Sequence, residues 1–400
     1  MLQTVSDLDD FKYYGKKVLM RVDFNVTLDN GIIREDYRIR MTIPTMDYLT
    51  KHGAKLILAS HLGKPTHADV NYSLAPVADR LSEIMPQNKV MFAFDCIGVD
   101  VQRQVDNMDK GNILLLENLR FHKEEVENDL EFSKKLAMLA EVYVNDAFST
   151  SHRRHASTYG IAKFFDIKVA GLNLKKEIDY LSMIKQNPAK PFILVIGGTK
   201  IKDKIGALEN LLPKADKLLM GGATAYTFLK AQGFKTGNSI IDSEHFPWVE
   251  KALSIYNDKI MLPIDHIISS SPPKEHAHVS IVKGNIPDEM TGFDIGNETV
   301  QKYTNELAGT RSGTVFWSGP MGLFEIGPFS NGTISVAKSI ALAFWRGSKT
   351  LIGGGDTIAA LKKASVSENE VTHVSTGGGA TLRYLAGDEM PGIEVLEEGK

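Results

Sequence analysis

Cations and glycines carry the chemistry that this sequence offers. In its first half Arg38, Lys64, Arg120 and Arg153 stand with Asp23, His61 and His152 in or beside loops that follow short apolar runs. The planar fork of an arginine matches a carboxylate or a phosphate, so convergence of these side chains would hold a small, multiply charged anion. An arginine taken singly is ordinarily a solvated surface charge, so a shared site depends on the fold bringing them together. Few groups in this half could serve as a nucleophile. His152 and His155 have the spacing of a ligand pair, but no cysteine or carboxylate ligand spacing accompanies them, which argues against zinc.

The second half offers glycine turns at the starts of helices. Lys349-Thr350-Leu351-Ile352 runs into Gly353-Gly354-Gly355-Asp356-Thr357 and then into a helix-forming run of Ile, Ala and Leu. A second copy, Gly377-Gly378-Gly379, follows Val374-Ser375-Thr376. Glycine lets a ligand approach the backbone closely, and a helix start presents unpaired N–H groups at a positive dipole end. The combination is a phosphate seat, and two such turns in one parallel sheet would aim two helix N-termini at one anionic group. Asp356 adds a carboxylate, a natural ligand for the Mg²⁺ that accompanies nucleotide phosphates. A third turn, Gly197-Gly198-Thr199-Lys200, lacks the spacing of a Walker A loop. It still sets Lys200 and Lys204 one helical turn apart, where both could reach the same phosphates.

Positioning these groups requires strands. Apolar runs at residues 18–22, 55–59, 113–116 and 142–144, then at 192–196, 218–220 and 315–317, each end in a polar or Gly-rich turn, and most are followed by a helical pattern. This alternation predicts an α/β fold of doubly wound parallel sheets, with ligands at the carboxyl ends of the strands. Leu174, Ile178, Leu181 and Ile184 predict a helix over residues 171–186, closed by Asn187-Pro188, after which the βα pattern restarts. The reading is two Rossmann-like parallel-sheet domains joined by a helix, with a cleft between them. Residues 1–170 form the first, 171–187 the joining helix and 188–379 the second. A chain of 400 residues exceeds what one core usually holds, which agrees.

Composition excludes several classes. With 43% hydrophobic and 24% charged residues this is an ordinary globular chain, and its net charge of −3 argues against a nucleic-acid partner. No apolar run approaches the ~18 residues of a membrane span, and the acidic start lacks the apolar core of a signal peptide. The single cysteine, Cys96, permits no internal disulfide, suits a reducing cytoplasm, and reads as a small buried hydrophobe. The absence of a heptad run or an apolar interface stripe favours a monomer.

Taken in order, the motifs resemble the phosphoglycerate kinase family. Arg21-Val22-Asp23-Phe24-Asn25-Val26, Ser60-His61-Leu62-Gly63-Lys64-Pro65, Leu115-Leu116-Glu117-Asn118-Leu119-Arg120-Phe121 and Asn145-Asp146-Ala147-Phe148-Ser149-Thr150-Ser151-His152-Arg153-Arg154-His155-Ala156-Ser157 are similar to its N-half motifs. Asp203-Lys204-Ile205, Gly319-Pro320-Met321-Gly322-Leu323-Phe324-Glu325, Gly354-Gly355-Asp356-Thr357 and Ser375-Thr376-Gly377-Gly378-Gly379 are similar to those of its C-half. The resemblance implies phosphoryl transfer between 1,3-bisphosphoglycerate and ADP, giving 3-phosphoglycerate and ATP, with Mg²⁺ and hinge closure. It implies that Asp23, Phe24, Asn25, Arg38, His61, Leu62, Gly63, Lys64, Arg120 and Arg153 bind the phosphoglycerate. Lys200, Lys204, Gly354, Gly355, Asp356 and Thr357 would meet the nucleotide phosphates and the metal, Glu325 the ribose, and Gly222 and Gly292 the adenine. Arg38, Lys204 and the N–H groups at Gly355 and Gly379 would serve the transfer itself, and the tail, residues 380–400, would fold back onto the first domain.

The sequence departs from the family pattern at a few places. Lys64 stands where Arg is usual, Ala223 replaces a third glycine, Ser318 replaces Asn, and Ser149 and Arg154 replace smaller residues. None removes a residue assigned to the transfer; nucleotide affinity is what they bear on. The rival readings are another acyl-phosphate kinase, such as one using acetate, and an idle nucleotide-binding scaffold. The arginine-rich half opposes the first, and the presence of Arg38, Lys204 and Asp356 opposes the second.

Overall fold

Runs of Val, Ile and Leu without polar alternation are the pattern of strands covered on both faces. Here they become two six-stranded parallel sheets. The computed structural model describes residues 2–29 and 31–397. Its contacts divide the chain into a first unit, which ends at Asp179 and resumes at Glu389, and a second spanning Tyr180–Asp388.

The strands of the first unit are β1 (Lys17–Arg21), a short antiparallel pair β2 (Leu28–Asp29) and β3 (Ile32–Ile33), β4 (Lys55–Ala59), β5 (Val90–Ala93), β6 (Ile113–Leu116), β7 (Val142–Asn145) and β8 (Lys168–Ala170). The main sheet runs β5-β6-β4-β1-β7-β8, every pair parallel. The helix Tyr37–Lys51 buries Ile39, Met46 and Leu49 in the same core as Val18, Met20, Leu56 and Leu58. Each such side chain is worth about 1.5–3 kcal/mol of burial. Chain order reverses between β1 and β7, and the register sets Arg21 beside both Ala59 and Asn145. The loops after those strands therefore flank a crevice at the carboxyl edge, the usual place for a ligand.

The second unit contains β9 (Phe192–Ile196), β10 (Lys217–Met220), β11 (Ile260–Met261), β12 (Asp265–Ser269), β13 (Ser280–Lys283), β14 (Thr291–Ile295), β15 (Thr314–Ser318), β16 (Lys349–Gly353) and β17 (His373–Ser375). Its main sheet, β11-β10-β9-β15-β16-β17, is parallel throughout and reverses between β9 and β15. That strand order belongs to dinucleotide-binding folds. A feature beyond the expected parallel sheet is an antiparallel sheet, β13-β12-β14. Its edge strand β13 is short and mostly exposed, so it offers no apolar run to read. The sheet covers a small core of Tyr226, Leu229, Ile268 and Ile286.

The joining helix is Leu172–Gln186, and the division between the units falls inside it. The tail changes units later than residue 380. The helix Gly379–Ala386 packs on Ile205–Leu211 of the second unit, where Asn210 Nδ2 donates to Leu385 O at 3.2 Å. From Glu389 onward the chain lies on the first unit. Asn145 Nδ2 donates to Gly392 O at 2.8 Å, Arg154 pairs with Glu389 at 3.0 Å, and Val395 and Leu396 are buried. No helix among the described residues is long and apolar enough to cross a membrane.

Candidate active site

Each unit gathers its predicted site residues at its own point of strand-order reversal. In the first, β1 delivers Asp23 to the crevice, and the first turn of the helix Tyr37–Lys51 delivers Arg38. Asp23 is buried and takes bonds from the guanidinium of Arg38 and the hydroxyl of Ser149, which follows β7. The loop after β4 presents His61, Leu62, Gly63 and Lys64. Asn118 fixes this loop by accepting from Leu62 N at 3.1 Å and donating to Leu62 O at 2.8 Å, while Asn25 Oδ1 accepts from Gly63 N at 2.8 Å. Gly63 has φ +62°, and a Cβ there would come within 2.4 Å of the Tyr72 ring, so the loop requires glycine. Phe24 lies in the core, and its N–H donates to Ser60 Oγ at 2.9 Å.

The electrostatics of this seat are those of crowded cations. Burial, followed by the charges of Arg21, Arg120, Arg153 and Arg38, holds His61 well below its ordinary pKa. Burial, then Arg153 and Arg21, lowers Arg120 to about 10, and the Arg120 guanidinium donates to Gly63 O. Burial also lowers Arg38. Arg153 Nε lies 3.0 Å from His152 Nε2. Lys64 is exposed. Like charges gathered in a partly desolvated crevice cost energy that an anion relieves, so such clusters mark functional sites.

In the second unit the turns after β9, β15, β16 and β17 line a cavity of about 680 Å³. It brings together Lys200, Lys204, Gly354, Gly355, Asp356, Thr357 and Gly379. The helices Gly355–Lys363 and Gly379–Ala386 both begin on it, so two positive dipole ends share one space. Lys204 is buried, and its ammonium donates to Lys200 O at 3.1 Å. Burial lowers its pKa, against the opposing charges of Asp203 and Asp356. Asp356 is exposed in the first turn of its helix. The Thr357 hydroxyl has a bracing part, accepting from Gly319 N and donating to Gly353 O, both at 2.8 Å.

Gly222, Gly292 and Glu325 lie outside that cavity's lining. Gly222 has φ +60° and a Cβ there would stand 2.5 Å from Gly198 N, so it packs the turn after β10 against the turn after β9. Gly292 sits in β14, donating to Ser239 Oγ at 2.9 Å, and Glu325 is exposed.

Several residues at these seats were not singled out from sequence. Arg383 lines the nucleotide-sized cavity one helical turn beyond Gly379, a spacing that could have flagged it. Arg21, buried at the end of β1, had no signal beyond its place in a motif. Cys96 is buried as expected, its thiol donating to Glu117 O at 2.9 Å.

The family model for phosphoglycerate kinase matches residues 8–388. The chain belongs to the phosphoglycerate kinase family. It is similar to the phosphoglycerate kinase of Koribacter versatilis, 45% identical over 97% of this chain and 98% of the relative. The phosphoglycerate kinase of Chlorobium chlorochromatii is 47% identical over 97% and 98% of the two chains. Among solved structures, phosphoglycerate kinase from Coxiella burnetii superposes with a TM-score of 0.85 at 35% identity, covering 100% of this chain and 99% of that one. Against the family pattern, two departures have visible local partners. Ser149 binds Asp23, and Arg154 pairs with Glu389 of the tail and lies over the Tyr159 ring at 4.8 Å.

Proposed function

We propose that this chain transfers a phosphoryl group from 1,3-bisphosphoglycerate to ADP, and the reverse, with the phosphoglycerate on the first unit and the nucleotide on the second. What supports the reading is the pair of anion seats, one built of arginines and one of helix N-termini. In the forward direction a terminal ADP oxygen attacks the acyl phosphorus in line, and the bond to the C1 carboxylate oxygen breaks. The leaving group is a carboxylate and the nucleophile is already anionic, so neither a general acid nor a general base is needed. Catalysis is then positioning and charge neutralisation. Arg38 serves the phosphoglycerate side, Lys204 the nucleotide side, and the N–H groups at Gly355 and Gly379 complete the shell.

Mg²⁺ fits the same seat. Asp356 belongs to no cluster of three ligating side chains among the described residues, so the protein would offer a cation there fewer than three such ligands. That donor set suits Mg²⁺, which keeps waters and phosphate oxygens as its remaining ligands. When bound it supplies charge neutralisation on the nucleotide phosphates. Gly222 and Gly292 border the adenine, and Glu325 meets the ribose.

Substrates held on separate units react only when the units approach, so closure about the helix Leu172–Gln186 belongs to the mechanism. It also excludes the water that would hydrolyse an acyl phosphate. Scattering profiles with and without both ligands test this, and identical radii would contradict it. We further read the chain as a cytoplasmic monomer that binds neither nucleic acid nor membrane, in keeping with its net charge of −3. The test of function is direct: ATP, Mg²⁺ and 3-phosphoglycerate are supplied, and the acyl phosphate is followed through a coupled dehydrogenase. Turnover is expected; nucleotide binding without turnover would leave a scaffold.

A further inference from the structure

Beneath the arginine seat lies a buried polar chain that the reaction itself does not use. Glu125, on the short helix Lys123–Glu127, is fully buried beside a group of cations. Its two carboxylate oxygens accept from Ser157, from the backbone N–H at 2.8 Å and from the hydroxyl at 2.6 Å. The Ser157 oxygen, its proton committed to Glu125, accepts from Arg21 Nε at 2.8 Å. Arg21 Nη1 binds Val22 O, and Nη2 lies 3.1 Å from His61 Nδ1. Every member of this chain is buried.

The proton count along the chain has one solution. A guanidinium has donors only, so His61 Nδ1 must accept from Arg21, and the ring proton must sit on Nε2. A second ring proton is opposed by burial and by four surrounding arginines. His61 is thus a neutral donor whose orientation is set by Arg21. Arg21 in turn is set at Nε by a hydroxyl that the Glu125 carboxylate orients.

We propose that Glu125 is a positioning residue of the phosphoglycerate seat, acting through Ser157 and Arg21 to hold His61 as the neutral Nε2–H tautomer that donates to the anion. The proposal rests on the reading of His61 as a phosphoglycerate contact. Glu125 has a second effect on the seat. Its carboxylate partly balances Arg21 and Arg120, so one buried anion offsets two cations before any substrate arrives.

The test separates tautomer from turnover. Ring ¹⁵N spectra of His61 in the full-length protein at neutral pH should show Nε2 protonated and Nδ1 bare. Ser157→Ala, which removes only the bridging hydroxyl, should leave a mixture of tautomers. It should also raise KM for 3-phosphoglycerate roughly tenfold, as for loss of a hydrogen bond to a charged group, while KM for the nucleotide stays unchanged. Glu125→Gln, which keeps shape and loses charge, should move both readouts in the same direction. Should Glu125→Gln fail to fold, Ser157→Ala decides alone. Protonation at Nδ1 in the wild type, or a Ser157→Ala protein with unchanged tautomer and KM, would overturn the proposal. The spectra need no turnover, so failure of the catalytic reading and failure of this one are different results.

Discussion

The two candidate sites would hold phosphate in opposite ways. In the first unit the site is built of side chains: Arg38, Arg120 and Arg153 come from three different segments, and buried partners such as Asp23 and Asn118 hold the loops beneath them. In the second, two helix starts and several glycine turns line the cavity, and its charged side chains include Lys200, Lys204, Asp356 and Arg383. Side-chain forks discriminate shape and charge, whereas helix N-termini accept any phosphate that the backbone can approach. The first seat should therefore be broken by truncating one side chain, and the second by adding one.

The largest effect should come from Arg38. Arg38→Ala is expected to lower kcat on the order of 10²–10³, about 3–4 kcal/mol, as for loss of one transition-state donor. Steady-state kinetics should show this with nucleotide affinity intact; wild-type turnover would remove Arg38 from the mechanism. The mirror experiment adds a side chain to the second unit. Gly222→Val forces a branched residue to φ +60° against Gly198. It should cost on the order of 1–3 kcal/mol of stability and weaken ADP more than 3-phosphoglycerate, measured by melting with each ligand.

Proton linkage is a feature the units share, because each carries a buried histidine with a lowered pKa and a buried aspartate with a raised one. His155 in the first unit is lowered to about 3 by burial and neighbouring arginines. Only the unfolded chain takes up its proton between there and an ordinary histidine value, so stability is lost as pH falls through that window. Asp294 in the second unit is raised to about 8 by burial. The folded chain alone holds that proton between an ordinary carboxyl value and about 8, so stability is lost as pH rises. His155→Gln should reduce the acid-side slope, leaving the share of His61 and His266, and Asp294→Asn the alkaline one, leaving that of Asp146, each by up to about 1.4 kcal/mol per pH unit in urea titrations. Unchanged slopes would deny the shifts. The smallest effect is at Lys64, exposed on its loop. Lys64→Arg restores a fork and should lower KM for 3-phosphoglycerate by no more than about fivefold, within the range of an exposed charge pair.

Legibility followed the physics of each segment. β1, β4, β6, β9 and β10 are visible in the sequence because strands buried on both faces are uninterrupted apolar runs. β13 is mostly exposed, and the three-residue β8 gives too little pattern to read. Glycine turns at helix starts announced the second seat. The first was legible only as a scatter of arginines, since nothing local says that Arg38 and Arg120 face one crevice. Glu125 was silent, because a buried carboxylate inside a charged helix looks like a solvated one, and Ser157 showed only as the end of a motif. The tail's change of unit at 389 instead of 380 depends on the packing of Gly379–Ala386 against Ile205–Leu211, a pairing of distant segments.

Crossed binding titrations would show whether each substrate has its own unit. Arg120→Ala and Lys204→Ala would each be titrated with 3-phosphoglycerate and with MgADP. Arg120→Ala should lose 3-phosphoglycerate affinity and keep the nucleotide, and Lys204→Ala should do the reverse. A variant that weakens both ligands equally while remaining folded, or either one weakening the opposite ligand, would contradict it.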